Sequence, residues 1–229
     1  YTPAIDGQWD NLYSALTQYR KMESLYNEEN DTQKAQDEAF MLAAKVQLYD
    51  FFAATVDIFG DMPFSKACTL PLTNDVNGSY APYDKAEDIY RTILGELKEI
   101  APRFRLVTVP KNFSTQDFIN LGNMEKWERY ANSLRLRLAM RVATQGALQE
   151  EGRAAIKEML ERIDKGASDK FVVELHKSSN DFFELDQKGD KVVIRGNTYI
   201  NIATGINWYL NCLLYTSSEP TRQAEISYA

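Results

Sequence analysis

From residue 8 to residue 27 the apolar positions Trp9, Leu12, Tyr13, Leu16, Tyr19 and Met22 recur at three- and four-residue steps. That spacing places them on one stripe of a helix, with Asp6 as the expected N-cap. A second, more apolar helix is expected over 32–59, where Phe40, Ala43, Ala44, Gln47, Leu48, Phe51, Phe52 and Thr55 wind round one side. Asp31 or Thr32 is expected to cap its start, and Gly60 to end it in a left-handed conformation. A third helix is expected over 85–101, with Ile89, Ile93, Leu97 and Ile100 inward, Asp84 as cap and Pro102 just beyond. A fourth covers 124–144 through Trp127, Ala131, Leu134, Leu138 and Val142, with Gly146 near its end. A fifth covers 150–163 through Ile156, Met159, Leu160 and Ile163, closed by Gly166.

The helical period breaks twice. After Gly60 the segment DMPFSKACTLPLTNDVNGSYAPY carries Pro63, Pro71 and Pro82, each of which holds the preceding residue in extended geometry, so an irregular surface loop is expected. Asn77-Gly78 marks a turn, and Asp75, Asn77 and Gly78 match only half of a calcium loop, so a turn is expected there rather than a metal site. Beyond Gly166 the runs FVVELH and DFFELDQKGDKVVIRGN flank Lys188-Gly189-Asp190 and predict a small β-hairpin. The fold class is therefore mainly α: five helices, long loops and a minor strand element. A Trp at the start of one helix and small residues in its neighbour suggest tetratricopeptide-like stacked helix pairs, although no clean repeat consensus is present.

Composition narrows the partners. The 229 residues are 44% hydrophobic and carry a net charge of −7. No Lys/Arg stripe is present; Arg135, Arg137 and Arg141 alternate with Leu and Met on one helix, and carboxylates of a neighbouring helix such as Glu87 or Glu96 are the expected partners of Arg137 and Arg141. Nucleic acid is excluded on this ground. Cys68 and Cys212 are too few for a disulfide framework. There is no run of eighteen apolar residues, and the start YTPAIDGQW has neither an initiator Met nor a signal pattern, so the chain is expected to begin inside a longer protein. The final stretch, CLLYTSSEPTRQAEISYA, abandons the preceding composition. CLLYTS matches a transposase sequencing adapter in one reading frame and SEPTR its neighbouring segment in another. Residues 212–229 are therefore expected to be a non-native tail, and 1–211 a partial domain truncated at both ends.

Four segments, in order, carry a family resemblance: WDNLYSAL from Trp9; YDFFAATVDIFGDMPFSKA from Tyr49; YDKAEDIYRTILGELKEI from Tyr83; and KWERYANSLRLRLAMRVA from Lys126. Over residues 1–145 the chain resembles the SusD/RagB family of outer-membrane nutrient-binding lipoproteins. The helix followed by Phe-Gly-Asp, a hydrophobe and Pro is the most recognisable of these signatures. The resemblance implies a SusD-like, mainly helical fold at the outer membrane, surface-exposed and held by a lipid anchor outside this stretch. It further implies capture of an oligosaccharide or peptide for a TonB-dependent, SusC-like transporter.

Catalytic chemistry finds little support in the residues. His176 is the single histidine, set in VVELHKSSND without a nucleophile motif, and one His with two Cys cannot build a His/Cys metal cluster. Phosphate-cradling glycine motifs are absent, so no catalytic residue, metal or cofactor is expected. Asp181, Glu184 and Asp186 are the densest acidic set near aromatics, and a solvated hairpin edge accounts for them. Binding is what remains. Sugars offer flat apolar faces with polar rims, which exposed aromatic rings beside amides recognise. The candidates off the helical stripes are Tyr80 and Tyr83, with Asn74 and Asn77 as polar rim, and Trp208 with Asn207. Trp9 and Trp127 lie on inward stripes and are expected in the core. The competing classes are a tetratricopeptide-like scaffold that binds only protein and a carboxylate-dependent glycosidase.

Overall fold

A computed structural model describes residues 3–76, 80–143, 146–163, 166, 170–198, 201, 202, 204–206, 208 and 209. The suspected tail and the expected positions Asn77 and Asn207 lie outside the described residues. The described part contains α1 (Pro3–Glu28), α2 (Asp31–Phe59), α3 (Leu70–Thr73), α4 (Ala86–Arg103), α5 (Lys111–Gln116), α6 (Met124–Val142), α7 (Gln149–Ile163), β1 (Phe171–Leu175), β2 (Phe183–Lys188) and β3 (Lys191–Gly196). The chain divides into two compact units, 1–139 and 140–229.

In the first unit α1 and α2 form an antiparallel pair, and α2 also packs on α4. Of the α1 stripe Leu12, Leu16 and Tyr19 are buried, Trp9 and Tyr13 are half-buried and Met22 is exposed. Asp6 lies inside α1 rather than at its start. The cap of α2 is one residue earlier than expected: the Asn30 side chain accepts from the amides of Thr32 and Gln33, while the Gln33 side chain accepts from the Asn30 amide, a reciprocal capping box. Gly60 stops α2 at φ 75, the positive-φ geometry that only glycine adopts without cost.

Burial along α2 is broader than one stripe. Ala39, Ala43, Val46, Leu48, Tyr49, Phe52, Ala53, Thr55 and Val56 are buried, whereas Phe40, Ala44 and Phe51 are only half-buried and Gln47 is exposed. By length and composition α2 is apolar enough to cross a membrane, with half of the relevant window buried inside the protein. Packing on two neighbours accounts for that apolarity, because a helix covered on several sides has no continuous polar face to show. The α2–α4 contact is closed by Tyr49, whose hydroxyl donates to Glu96 at 2.5 Å, and by an ion pair between Lys45 and Glu96.

α4 buries Ile89, Ile93, Leu97 and Ile100 as expected, but it runs through Pro102 to Arg103. α6 buries Trp127, Ala131, Leu134 and Leu138, with Trp127 stacked on Phe104 at 6.0 Å. Arg137 pairs with Asp50 of α2, not with Glu87 or Glu96 of α4. The short helices α3 and α5 have no sequence expectation behind them, being too brief to show a period.

The second unit holds α7, with Ala155 and Met159 buried, and a three-stranded sheet of order β1-β3-β2. β2 and β3 form the expected hairpin, in register from Phe183 opposite Gly196 to Lys188 opposite Lys191. β1 was not expected to join it: FVVEL pairs in parallel with β3, making β3 the central strand, and Val193 and Ile194 of that strand are buried.

Candidate functional site

The loop between α2 and α4 is pinned at its base. Met62 and Asp84 exchange backbone hydrogen bonds at 3.1 and 3.0 Å, and Met62 is fully buried. The Asp84 carboxylate accepts from the amides of Phe64 and Ser65, both at 2.9 Å, and from the Ser65 hydroxyl at 2.7 Å. Asp84 is thus not the cap of α4. The bridge to Met62 holds it in extended backbone and its side chain turns back into the loop. Lys85 occupies the cap position, and Asp61 accepts instead from the Ala86 amide at 2.8 Å.

Above this base lies a row of aromatic rings. Antiparallel pairing brings Trp9, near the start of α1, level with Phe59, at the end of α2. Their centroids are 5.0 Å apart, with Tyr13 4.9 Å from Trp9. The Tyr13 hydroxyl donates to the Pro63 carbonyl at 2.7 Å. Burial holds the Tyr13 phenol above its usual range, with Cys68, Tyr83 and Asp84 as further charged-state neighbours. Tyr83, near Tyr13 and next in the chain to the clamped Asp84, is 67% exposed, and Tyr80 is 92% exposed. Gln8, whose amide donates to Thr55 at 3.1 Å, and the exposed Asp61 supply polar atoms nearby. Trp9 is half-buried rather than core, so the expectation holds for Trp127 and fails for Trp9. Helix stripes alone do not show which end of a helix is left uncovered; pairing α1 with α2 end to end does.

The expected rim is looser. Asn74 is exposed and ends α3 at φ 53, and no hydrogen bond or ring contact joins Asn74, Tyr80 and Tyr83 among the described residues. Trp208 is exposed in the second unit, next to Tyr209, whose ring meets Phe171 edge-on at 5.4 Å. Two of the acidic set share one cation with Glu174: Arg195 lies 2.8 Å from Glu174, 3.5 Å from Glu184 and 3.0 Å from Asp186, and these bonds raise its pKa, while Asp181 accepts instead from the Asn197 and Asn201 amides at 3.1 and 3.2 Å. His176 is 3.6 Å from Glu174. Among the described residues no group of three or more His, Cys, Asp or Glu side chains is placed to hold a metal.

Two further features of the first unit have shape. A trough of about 590 Å³ is lined by Tyr19, Phe51, Tyr130, Gln18, Gln47 and Asp50, among others, and Asp50 is already engaged by the Tyr130 hydroxyl at 2.7 Å and by Arg137. The other is the turn from Asp117 to Asn123. Asp117 is buried, and its carboxylate accepts from the amides of Ile119 and Asn120 at 3.0 Å, the Gly122 amide at 2.9 Å and the Trp127 indole at 2.7 Å. Leu121 and Gly122 both have positive φ, 56 and 73. A Cβ at Gly122 would sit 2.6 Å from the Ser114 hydroxyl and 2.9 Å from its Cα, so glycine is required there.

Both clamping carboxylates respond to acid in the same direction. Burial alone would raise Asp84 and Asp117, but the bonds from Ser65 and Phe64, and from Asn120, Trp127, Gly122 and Ile119, outweigh it and hold both below the ordinary 3.8. A depressed folded-state value adds stability that is complete above the unfolded pKa and is lost as pH falls through the folded one. The urea midpoint is therefore expected to be flat from about pH 7 to pH 5 at these two sites and to drop below about pH 4. Replacing either residue with Asn should shallow that acid limb in urea melts.

Paired helices with rings gathered at a pinned loop define an α-helical binding scaffold. The chain belongs to the SusD-like family described as starch-binding and associating with the outer membrane, whose model matches residues 2–204. Proteins of this family bind ligands rather than transform them. No curated protein matches the chain.

Proposed function

We propose that this protein captures an oligosaccharide, with a starch-like glucan as first choice, at the aromatic row of Phe59, Trp9, Tyr13 and Tyr83, and passes it unchanged to a TonB-dependent, SusC-like transporter at the cell surface. The observation that carries the reading is the row itself: Trp9 in contact with both Phe59 and Tyr13, and an exposed Tyr83 near Tyr13 on a loop whose base is held by the buried Met62 and by the Asp84 carboxylate. Rigid rings stack on sugar faces at little entropic cost, and the neighbouring amide and carboxylates fit a hydroxyl rim. Family membership supports both the ligand class and the outer-membrane association.

Calorimetric titration with malto-oligosaccharides and a panel of other glycans tests this. Tyr83→Ala is expected to weaken binding about 10-fold, the loss typical of removing one exposed aromatic anchor, and Tyr80→Ala less, without change in melting temperature. Binding unchanged by Tyr83→Ala but lost on Phe51→Ala would move the site into the trough. Absence of glycan binding altogether would favour a scaffold that recognises protein only, and release of shortened sugar would sink the passive role.

A further inference from the structure

We infer that Arg20 is a positioning residue of the glycan site: from outside the aromatic row it holds the loop segment that sets both of the row's tyrosines, an inference that rests on the function proposed above. Arg20 lies on α1 seven residues beyond Tyr13 and four before Ser24, steps of about two turns and one, so the three share one face of the helix. All three donate to carbonyls of the same loop. The Tyr13 hydroxyl reaches Pro63 at 2.7 Å, Arg20 Nη2 reaches Ser65 at 3.3 Å and its Nε Ala67 at 3.4 Å, and the Ser24 hydroxyl reaches Pro71 at 2.9 Å. Of these three, Arg20 alone is charged and alone takes two carbonyls. Glu23, one turn further on, accepts from Arg20 Nη1 at 2.7 Å, which orients the rigid guanidinium plane and leaves the other two nitrogens to the loop.

The segment held in this way is a turn, closed by the Ala67 amide donating to the Phe64 carbonyl at 3.3 Å. Opposite charges grip its two sides. The carbonyls of Ser65 and Ala67 go to the Arg20 cation, while the amides of Phe64 and Ser65 and the Ser65 hydroxyl go to the Asp84 anion. Bonds to charged groups are stronger than neutral ones, so the turn has one resting place between them. Both tyrosines are tied to that place: Tyr83 precedes Asp84 in the chain, and Tyr13 donates to Pro63, the residue before Phe64. A turn released by Arg20 would therefore move at both. The plainer role for a side chain only 17% exposed is packing of its apolar stem, and methionine would serve that equally well.

The test titrates malto-oligosaccharides into the full chain carrying Arg20→Met, Arg20→Lys, Asp84→Ala, or Arg20→Met with Asp84→Ala, and follows amide exchange of the glycan-free proteins by mass spectrometry. Arg20→Met is expected to weaken binding about 5-fold, whereas Arg20→Lys, which keeps a charged donor beside the carbonyls, stays within about 2-fold of the unsubstituted protein. The double variant is expected to bind within about 2-fold of Asp84→Ala alone, because both substitutions act through one turn. Exchange at Phe64, Ser65 and Ala67 should rise in Arg20→Met and return in Arg20→Lys, with the exchange of α1 and α2 unchanged. Arg20→Met within about 2-fold of the unsubstituted protein, equal losses from Met and Lys, or a double variant showing the full product of the single losses would overturn the inference. An unsubstituted protein that binds no glycan sinks the function proposed above and this inference with it, while glycan bound alike with and without Arg20→Met sinks this inference alone.

Discussion

Asp117→Asn is expected to destabilise the first unit by about 2–4 kcal/mol, read as a lowered urea midpoint followed by tryptophan fluorescence. The carboxylate accepts four hydrogen bonds from donors that have no other use for their protons: three backbone amides of one tight turn and the Trp127 indole. An asparagine can satisfy the pair at Oδ1 but turns an NH2 toward the Gly122 amide and the indole, leaving two buried donors facing a third. Each such loss costs on the order of 1–3 kcal/mol. Because Trp127 stacks on Phe104 and lies 5.8 Å from Tyr130, displacing its indole disturbs the join of α4 and α6 as well as the turn. The control is one residue away: Phe118→Ser removes only an exposed ring and is expected to change stability by less than about 0.5 kcal/mol. Equal effects from the two substitutions would mean that the carboxylate does not organise the turn.

The second large effect is expected at Asp84. Asp84→Ala removes three hydrogen bonds that fasten Phe64 and Ser65 to the base of the loop, at a cost of about 2–3 kcal/mol. The backbone bridge to Met62 survives, since it uses main-chain atoms only. The helices should therefore stay folded while the loop loosens. Under the proposed function, Tyr83 then loses its fixed position and glycan affinity falls about 10-fold, as much as if the ring itself were removed. Far-ultraviolet circular dichroism unchanged with affinity reduced is the expected pair of readings. Affinity retained in Asp84→Ala would show that the loop does not position the ligand.

Much of this was readable in the chain, and the failures share a cause. The stripes Leu12–Leu16–Tyr19, Ile89–Ile93–Leu97–Ile100 and Trp127–Ala131–Leu134–Leu138 point inward as their spacing says, because helical periodicity is local and needs no partner to be read. Gly60 ends α2 for the same reason. The Asn30–Gln33 box was equally local, an Asn three residues ahead of a Gln, but the richer Asp31-Thr32 pair beside it drew the assignment. What periodicity does not contain is which elements meet. Arg137 finds Asp50 rather than a carboxylate of α4, β1 finds β3 across the hairpin, and Asp84 serves Phe64 and Ser65 instead of the helix that follows it. The aromatic row belongs to this class: Tyr83 was visible as a loop aromatic, while Trp9 and Phe59 become part of the candidate site only when two helix ends are brought level.

The position of α2 has one more implication. It is the wall common to α1 on one side and α4 on the other, and through Asp50 it also reaches α6. In an array of helix pairs, cohesion is a sum of each unit's own stability and its coupling to the next, and an array whose couplings are weak frays from its ends. Sharing one helix between neighbours removes that freedom here. Neither neighbour can detach without exposing a buried face of α2, so this stretch is expected to melt as a single block, and the rings at one end of it to keep their spacing until the whole block lets go.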